Sequence, residues 1–381
     1  MSGPTTPALL RPLLALLGAA LLVALAPLLA AWLAGNVPAG VLELPPRPLE
    51  TIQPPWSPGV FAALGVLVAL VAVPIVVRLA RARPARSRPR ARSLPWWGFA
   101  GAALLAVAWL LAWTRFDWFA PLQRHTFTPL WLGYIVVVNA LTEARTGRCL
   151  LSSRPRYFIA LFPASALFWW VFEFLNRFVG NWHYVNVGDY GAAEYTVLAT
   201  MSFSTVLPAV MSTAHYLSSY PRIDAAFADM ARVPWPGGRF VMLFTLFAGV
   251  LGVAAAGAWP TIAFALVWVA PALVIISLGA LTGAQTGFER LQAGDLRVVF
   301  VPALSALVCG LFWEMWNYWS YARWEYAIPY VERLRIFAMP LLGYAGYLPF
   351  GIACFAVSAL VAPLAARAGD PPARDDALAP A

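Results

Sequence analysis

The chain alternates between long apolar segments and short polar ones. A helix needs about 20 apolar residues to cross a bilayer, and the apolar segments come near or exceed that length. The predicted spans are residues 9–34, 59–79, 97–115, 127–142, 157–178, 196–217, 239–258, 261–281, 298–319 and 338–364. The first could be mistaken for a signal peptide, but it is long enough to span and has no convincing cleavage site, so we expect an uncleaved helix. The pattern predicts an all-α fold, a polytopic transmembrane helical bundle with about ten spans.

Composition supports the membrane class. Hydrophobic residues make up 61% of the chain and charged residues only 11%, whereas a soluble domain has about 25% charged residues. All 26 basic residues are Arg, and together with the abundance of Ala, Leu, Pro and Gly this indicates a GC-rich genome and hence a bacterium. We therefore expect a multi-pass protein of a bacterial inner membrane.

The Arg residues also predict the orientation of the spans, because cytoplasmic loops carry more of them than outer loops do. With the N-terminus inside, 19 Arg flank the inner ends of the spans and seven flank the outer ends. Both termini are then cytoplasmic. The basic loop of residues 78–92 faces anionic lipid head groups rather than nucleic acid, and the tail, residues 366–381, is predicted to be disordered.

An internal duplication is the most informative pattern in the sequence. Asn139–Gly147 (NALTEARTG) and Gly279–Gly287 (GALTGAQTG) lie 140 residues apart. Further matching pairs follow in the same order at nearly the same offset. They are Arg156 and Arg297, Glu173 and Glu314, Asn176 and Asn317, Trp182 and Trp324, Tyr184 and Tyr326, and Leu207 and Leu348. Several features at a nearly constant offset indicate two copies of one unit.

The duplication predicts the domain organisation. Residues 1–95 hold two N-terminal helices and the basic loop, residues 96–220 and 237–365 are two four-helix membrane repeats, and the tail follows. A unit with an even number of spans returns the chain to its starting side, so both copies have the same orientation. The repeats are therefore parallel and related by a pseudo-twofold axis along the membrane normal.

Each copy carries a Glu-x-x-Asn motif near the end of a predicted span. Each Glu follows an Arg after 17 residues of helix, a rise of about 25 Å, which puts Glu173 and Glu314 near the outer side. Glu and Asn at i and i+3 share a helix face. Gly310, one turn before Glu314, would let another helix or a ligand approach closely. Ionisable residues inside a membrane protein are functional candidates, and we expect the two motifs to face each other or a shared cavity.

A purely structural role is the alternative for these residues. Trp and Tyr collect at membrane interfaces as aromatic belts, and Asn can cross-link helices. A Glu near a helix end can be solvated or paired with an Arg such as Arg177 or Arg323. The outer loop of residues 323–335 holds three Arg and two Glu, which fits fixed ion pairs, an anionic head-group partner or a solvated loop with no role.

The functional interpretation assigns a role to each group of residues. Glu314 and Glu173 would act as acid or base, and Asn317 and Asn176 would orient them. Aromatic faces can stabilise a developing cation. The predicted lining of the binding site is Trp170, Trp182, Tyr184, Trp313, Trp324, Tyr326 and Arg323.

Other chemistries find little support in the sequence. The chain has no P-loop, dinucleotide-binding, zinc-protease or serine-hydrolase motif. His183 lies between Trp182 and Tyr184, but its counterpart in the second copy is Glu325. We therefore expect no cofactor and no bound metal.

The order of these features resembles a known family. An apolar helix that ends in an acid, a loop with W-x-Y and a helix that opens with Pro are similar to the membrane-embedded lycopene cyclase domain, which also occurs in tandem. The residues that carry the resemblance are Glu314, Trp324, Tyr326 and Met339–Leu341 in the second copy and Glu173, Trp182 and Tyr184 in the first. The family's Pro-x-Glu-Glu signature is replaced by Pro-Leu-Leu-Gly at residues 340–343 and by Ala-Thr-Met-Ser at residues 199–202. The resemblance implies a scaffold for long apolar isoprenoid or lipid substrates.

Three functions fit the sequence. The leading one is a cavity, open to the outer half of the bilayer, that binds or modifies a lipid or isoprenoid by acid–base chemistry. The second is a transporter or lipid translocator in which the Glu pair carries protons or binds a cation. The third is a structural or assembly subunit without a ligand. No nucleic-acid partner is expected.

The predicted orientation can be tested with cysteine-labelling reporters. Reporters in the loops Asn181–Tyr195 and Arg323–Arg335 should react with a membrane-impermeant thiol reagent added from outside, and reporters in the Arg81–Arg92 loop should not. The physical reason is the excess of Arg on the cytoplasmic side. The opposite labelling pattern would contradict the orientation and move both Glu-x-x-Asn motifs to the cytoplasmic face.

Overall fold

Helices dominate the computed structural model, which describes residues 6–48, 50–84, 92–187 and 190–366. The α-helices are α1 (Thr6–Leu33), α2 (Pro58–Arg81), α3 (Trp96–Trp113), α4 (Phe127–Thr146), α5 (Leu150–Ser153), α6 (Pro155–Val179), α7 (Ala192–Phe203), α8 (Val206–Ser218), α9 (Pro221–Phe227), α10 (Arg239–Ala258), α11 (Pro260–Ala263), α12 (Leu266–Thr282), α13 (Arg297–Trp319) and α14 (Tyr347–Ala365). Short 3-10 helices cover Asp117–His125, Phe288–Ala293 and Leu341–Gly346. The strands are β1 (Trp182–Val185), β2 (Arg323–Tyr326), β3 (Arg335–Ile336) and β4 (Met339–Pro340). The all-α prediction is confirmed, with two short antiparallel strand pairs added in the loops.

Two sequence predictions fall on segments outside the described residues. They are the middle of the basic loop, residues 85–91, and nearly all of the tail predicted to be disordered, residues 367–381.

Nine helical segments in the described part of the chain are long and apolar enough to cross a membrane. The chain therefore has the architecture of a multi-pass membrane protein. The sixth predicted span, 196–217, is covered by α7 and α8 with a break at Ser204 and Thr205. The eighth, 261–281, is divided between α11 and α12, and the 17 residues of α12 rise about 25 Å.

The last predicted span, 338–364, starts too early. Residues 339–340 form strand β4 and residues 341–346 a 3-10 helix, so α14 begins only at Tyr347. Pro340 has an extended backbone, with φ −57° and ψ 142°. Proline has no N–H to donate to a preceding helical turn, and here Met339 and Pro340 pair with strand β3 instead of continuing a helix.

Close helix contacts hold the bundle together. α1 packs against α10, α12 and α14, and α13 packs against α14 and α8. A Cβ atom at Gly257 would lie 2.1 Å from the carbonyl oxygen of Pro27, and one at Gly351 would lie 2.1 Å from that of Pro302. Because no side chain fits at such distances, these two glycines allow the backbones of neighbouring helices to touch.

The two W-x-Y loops pair with each other. Strand β1 follows α6, strand β2 follows α13, and the strands form an antiparallel ribbon in which Trp182 lies opposite Tyr326 and Tyr184 lies opposite Trp324. The backbone N–H of Ala327 donates to the carbonyl of Asn181 and extends the ladder by one bond. The ribbon therefore joins the ends of the two helices that carry the Glu-x-x-Asn motifs.

An ion-pair cluster lies at the start of α13, the end predicted to be cytoplasmic. Asp295 accepts hydrogen bonds from Arg290 Nε at 2.6 Å and from Arg297 Nε at 2.8 Å, and Arg297 also pairs with Asp224. Burial raises the pKa of Asp295, but the hydrogen bonds and positive charges of Arg297 and Arg290 outweigh it and hold the pKa below its usual value. The folded protein therefore favours the ionised form of Asp295.

This cluster predicts a loss of stability in acid. A carboxyl group whose pKa is lowered by folding stabilises the protein above its unfolded pKa of about 4, and the stabilisation disappears as the pH falls through the folded pKa. Asp295→Asn should lower the free energy of unfolding at neutral pH by about 3 kcal/mol and flatten this part of the acid profile. Melting temperatures in detergent between pH 7 and pH 3 would measure both effects, with the exposed Asp229→Asn as control. An Asp295→Asn profile that matches the parent would contradict the assignment.

Candidate functional site

A cavity of about 180 Å³ lies beside the β1–β2 ribbon, with walls from α4, α6, α7, α8, α12, α13 and α14. Most of the wall is aromatic. Its Trp and Tyr residues are Trp169, Trp182, Tyr184, Tyr190, Tyr195, Trp268, Trp313, Trp324, Tyr326 and Tyr347. The Arg residues of the wall are Arg124 and Arg323.

The ribbon and α7 supply two sides of the cavity through their regular periodicities. Alternate residues of a strand point to one face, and residues opposite each other in an antiparallel pair share that face. Trp182, Tyr184, Trp324 and Tyr326 therefore all lie on the cavity side of the ribbon. On α7, the cavity is lined by residues 195, 198, 199 and 202, the i, i+3, i+4, i+7 stripe of one helix face.

Glu173 is fully buried and is held by neutral donors. Its Oε1 accepts hydrogen bonds from Tyr184 Oη at 2.6 Å, from Trp169 Nε1 at 2.9 Å and from Trp182 Nε1 at 3.3 Å. Trp169 lies one turn earlier on the same helix, and the other two donors come from β1. The W-x-Y loop therefore folds back over the carboxyl group of its own copy.

Glu314 is equally buried and has a similar set of partners. Its Oε1 accepts from Tyr326 Oη at 2.6 Å and from Tyr347 Oη at 2.7 Å. The Trp324 indole donates to the Tyr326 hydroxyl at 2.7 Å. The order of the second network is thus Trp324, Tyr326, Glu314 and Tyr347.

The second carboxyl oxygen of each Glu is buried without a hydrogen-bond partner in the described part of the chain. The arginines considered as ion-pair partners have other contacts. Arg177 donates to the carbonyls of Gly40 and Pro45, and Arg323 pairs with Glu325 at 2.8 Å. Leaving a carboxyl oxygen unpaired in the interior costs free energy, so these groups call for an explanation beyond packing.

Both carboxyl groups lie behind the cavity wall rather than in it. The residues that line the cavity include their donors Trp169, Trp182, Tyr184, Tyr326 and Tyr347, and do not include either Glu. A proton that moves between a carboxyl group and a molecule in the cavity must therefore pass through these side chains.

The two Asn residues contact the loops and not the carboxyl groups within the described hydrogen bonds. Asn176 Nδ2 donates to the carbonyl of Trp182 at 2.7 Å, and its Oδ1 accepts from the backbone N–H of Asn181 at 2.8 Å. Asn317 does the same for Trp324, with 2.8 Å for both bonds. The amides hold the start of each ribbon strand and so position the aromatic donors of the Glu residues.

Six of the seven residues predicted to line the site do line the cavity; Trp170 does not. Its indole donates to Thr200 Oγ1 at 3.0 Å, and its neighbour Trp169 reaches the cavity instead. Trp268 and Tyr347 line the cavity as well, and no motif in the sequence predicted them. At the repeat offset of 141 residues, the counterpart of Tyr347 is Val206, so comparison of the copies gave no signal for it.

The two Glu-x-x-Asn motifs have a large side chain in complementary positions. In the first copy Trp169 donates to the Glu, and Val206 is small; in the second, Gly310 replaces the Trp and Tyr347 replaces the Val. A Cβ atom at Gly310 would lie 2.4 Å from the ring of Tyr347. The expectation that Gly310 admits close approach from another helix is therefore confirmed, and the approaching group is the Tyr347 ring of α14.

The ribbon tyrosines keep their protons well above neutral pH. Desolvation raises the pKa of Tyr184 and that of Tyr326 well above the ordinary value, and the negative charge of Glu173 or Glu314 raises it further. Each hydroxyl therefore stays an O–H group that contacts a carboxyl oxygen and the cavity.

The role of the two amides can be tested by substitution. Asn176→Ala and Asn317→Ala should each lower the free energy of unfolding by about 1–3 kcal/mol, because buried backbone groups of the ribbon lose their partners. Glu314→Gln should leave stability nearly unchanged, since its amide oxygen can still accept both tyrosine hydrogen bonds. Thermal melts in detergent would compare the three variants, and unchanged melting of both Asn variants would contradict the assigned role.

Comparison with known proteins does not supply a function for the site. A scan of protein-family models, a search of curated proteins and a search of solved structures each found no match. No group of three or more His, Cys, Asp or Glu side chains suited to a metal ion occurs among the described residues. What the site can do is therefore argued from its own geometry.

Proposed function

We propose that the cavity binds an isoprenoid or another lipid and that Glu314 and Glu173 provide acid–base chemistry to it. The observation that carries the proposal is the pair of fully buried carboxyl groups, each joined to an aromatic cavity wall by tyrosine hydroxyls. A purely structural role would not require a carboxyl group at either position.

The wall suits an apolar ligand with developing positive charge. Aromatic faces attract cations, and protonation of an isoprenoid double bond creates a carbocation. Trp313 and Trp268 line the cavity beside the two networks. A dry cavity of about 150 Å³ holds one benzene molecule, so the volume of about 180 Å³ here suits a segment of one or two isoprene units rather than a whole long chain.

The tyrosine hydroxyls give the carboxyl groups a route to the ligand. A hydroxyl both donates and accepts, whereas an indole N–H only donates. When a carboxyl group carries a proton, the tyrosine hydroxyl can turn to donate its own proton to the ligand and take the carboxyl proton in its place. The carboxyl group then ends as a carboxylate, the tyrosine stays neutral and the ligand gains the positive charge. Glu314 has two such contacts, through Tyr326 and Tyr347, and Glu173 has one, through Tyr184. We therefore assign the larger share of the chemistry to the second copy.

The internal duplication supports a site to which both halves of the chain contribute. The starts of β1 and β2 differ by 141 residues, and so do those of α8 and α14. These offsets support two parallel repeats, 96–220 and 237–365, that bring two carboxyl groups to one cavity about a pseudo-twofold axis, near the outer leaflet. The resemblance to the tandem lycopene cyclase domain supports the substrate class only, because Pro-Leu-Leu-Gly at residues 340–343 lacks its acidic signature.

Native mass spectrometry of the purified protein tests the proposal. The parent protein should retain a stoichiometric lipid or isoprenoid, and Glu314→Gln should lose retention or conversion of it with little change in melting temperature. Glu173→Gln should have the smaller effect, because one hydroxyl rather than two connects that residue to the cavity.

Glu289→Gln is the matched control, since Glu289 accepts hydrogen bonds from Thr286 and is not a cavity residue. Absence of any ligand in the parent would count against the proposal, and proton-coupled flux in liposomes would favour a transporter. If both Glu variants lose stability but keep the ligand, the motif has a structural role.

A further inference from the structure

We infer that the ligand is an amphiphile with an anionic head group, phosphate-like in charge, that binds Arg124 while its apolar part enters the cavity. The inference rests on the proposed lipid-binding function and specifies the chemistry of the ligand. It is carried by the placement of guanidinium groups around a cavity whose wall is otherwise apolar and aromatic.

Arg124 is the central residue of the inference. It lines the cavity yet is exposed to solvent, so its guanidinium stands where the cavity meets water. The group lies 5.7 Å from the ring of Tyr190 and 5.8 Å from that of Tyr321. No carboxylate within the described ranges forms an ion pair with it. The side chains of Tyr190 and Tyr321 also hydrogen-bond the guanidinium. Because a guanidinium has five N–H donors, others remain for an anion, and its planar fork matches phosphate oxygens.

Two further guanidinium groups lie near the same edge. Arg323 lines the cavity and shares its charge with Glu325 at 2.8 Å. Arg47 lies over the ring of Tyr195 at 4.6 Å and donates to the carbonyl of Tyr190 at 2.7 Å. Of these three guanidinium groups, one is paired with a carboxylate, and the positive charge of the others favours an anionic head group.

The rest of the wall suits the apolar part of the ligand. Besides Arg124, the residues that line the cavity include Phe127, Leu198, Trp169 and Trp313. These side chains offer apolar surface and no charge. A head group bound at Arg124 would place the adjoining isoprene units against this surface and toward the tyrosine hydroxyls.

Binding of short probes to the full-length protein in detergent tests the inference. The probes are geranyl monophosphate, geraniol and inorganic phosphate, measured by isothermal titration calorimetry. Geranyl monophosphate should bind more tightly than geraniol by about tenfold or more, the factor expected for a charge-assisted hydrogen bond. Arg124→Gln should remove that advantage and leave the affinity for geraniol unchanged, and Arg124→Lys should keep part of it.

Arg115→Gln is the matched control. Arg115 lies 5.6 Å from the same Tyr321 ring but is not a cavity residue, so its loss should change neither affinity. Raising the salt concentration should also reduce the advantage of the phosphate, because the exposed charge is screened.

Three other outcomes would count against the inference. Equal binding of geraniol and geranyl monophosphate, with no effect of Arg124→Gln, would overturn the head-group inference and leave the lipid-binding function in place. Inorganic phosphate that binds as tightly as geranyl monophosphate would overturn it in favour of a free-phosphate site. Failure of all three probes to bind would count against both proposals.

Discussion

The pairing of β1 with β2 is the contact on which the rest of the site depends. A ribbon of two four-residue strands is marginal by itself, and here it is held by Asn176 at one strand, by Asn317 at the other and by the aromatic side chains that face the cavity. Each strand brings a tyrosine to the carboxyl group of its own copy. Because β1 and β2 pair with each other, the ribbon donors of one Glu are positioned in part by the strand that carries a donor of the other.

The buried carboxyl groups are the costly part of this arrangement. Moving a carboxyl group out of water is unfavourable unless its oxygens are paired, and in each copy only Oε1 has hydrogen-bond partners among the described residues. Those partners are hydroxyl and indole groups, which carry no compensating charge. An aromatic belt at a membrane interface has no need of such a group, and this is why the carboxyl groups, more than the number of aromatic residues, support a ligand-binding role.

The two Glu-x-x-Asn motifs have similar hydrogen-bond networks that are built from different elements. The first uses Trp169 on the same helix as Glu173, and the second uses Tyr347 from the facing helix, with Gly310 leaving space for its ring. An indole fixes a carboxyl oxygen, whereas a hydroxyl can also take a proton from it. The substitution therefore keeps both carboxyl groups in place while giving the second a further route to the cavity.

The sequence by itself determined the membrane class, most of the spans and the two Glu-x-x-Asn motifs, because apolar length and helical spacing are local properties. It also identified the W-x-Y residues, since they recur in the two halves of the chain at a nearly constant offset. Only the tertiary structure decided that these strands pair with each other and that the Asn side chains bind the loop backbone. It also decided that Trp169 and not Trp170 reaches the cavity, and that Tyr347 completes the second network. The physical reason is that local spacing sets which face of an element a side chain occupies, while its partner depends on how separate helices pack.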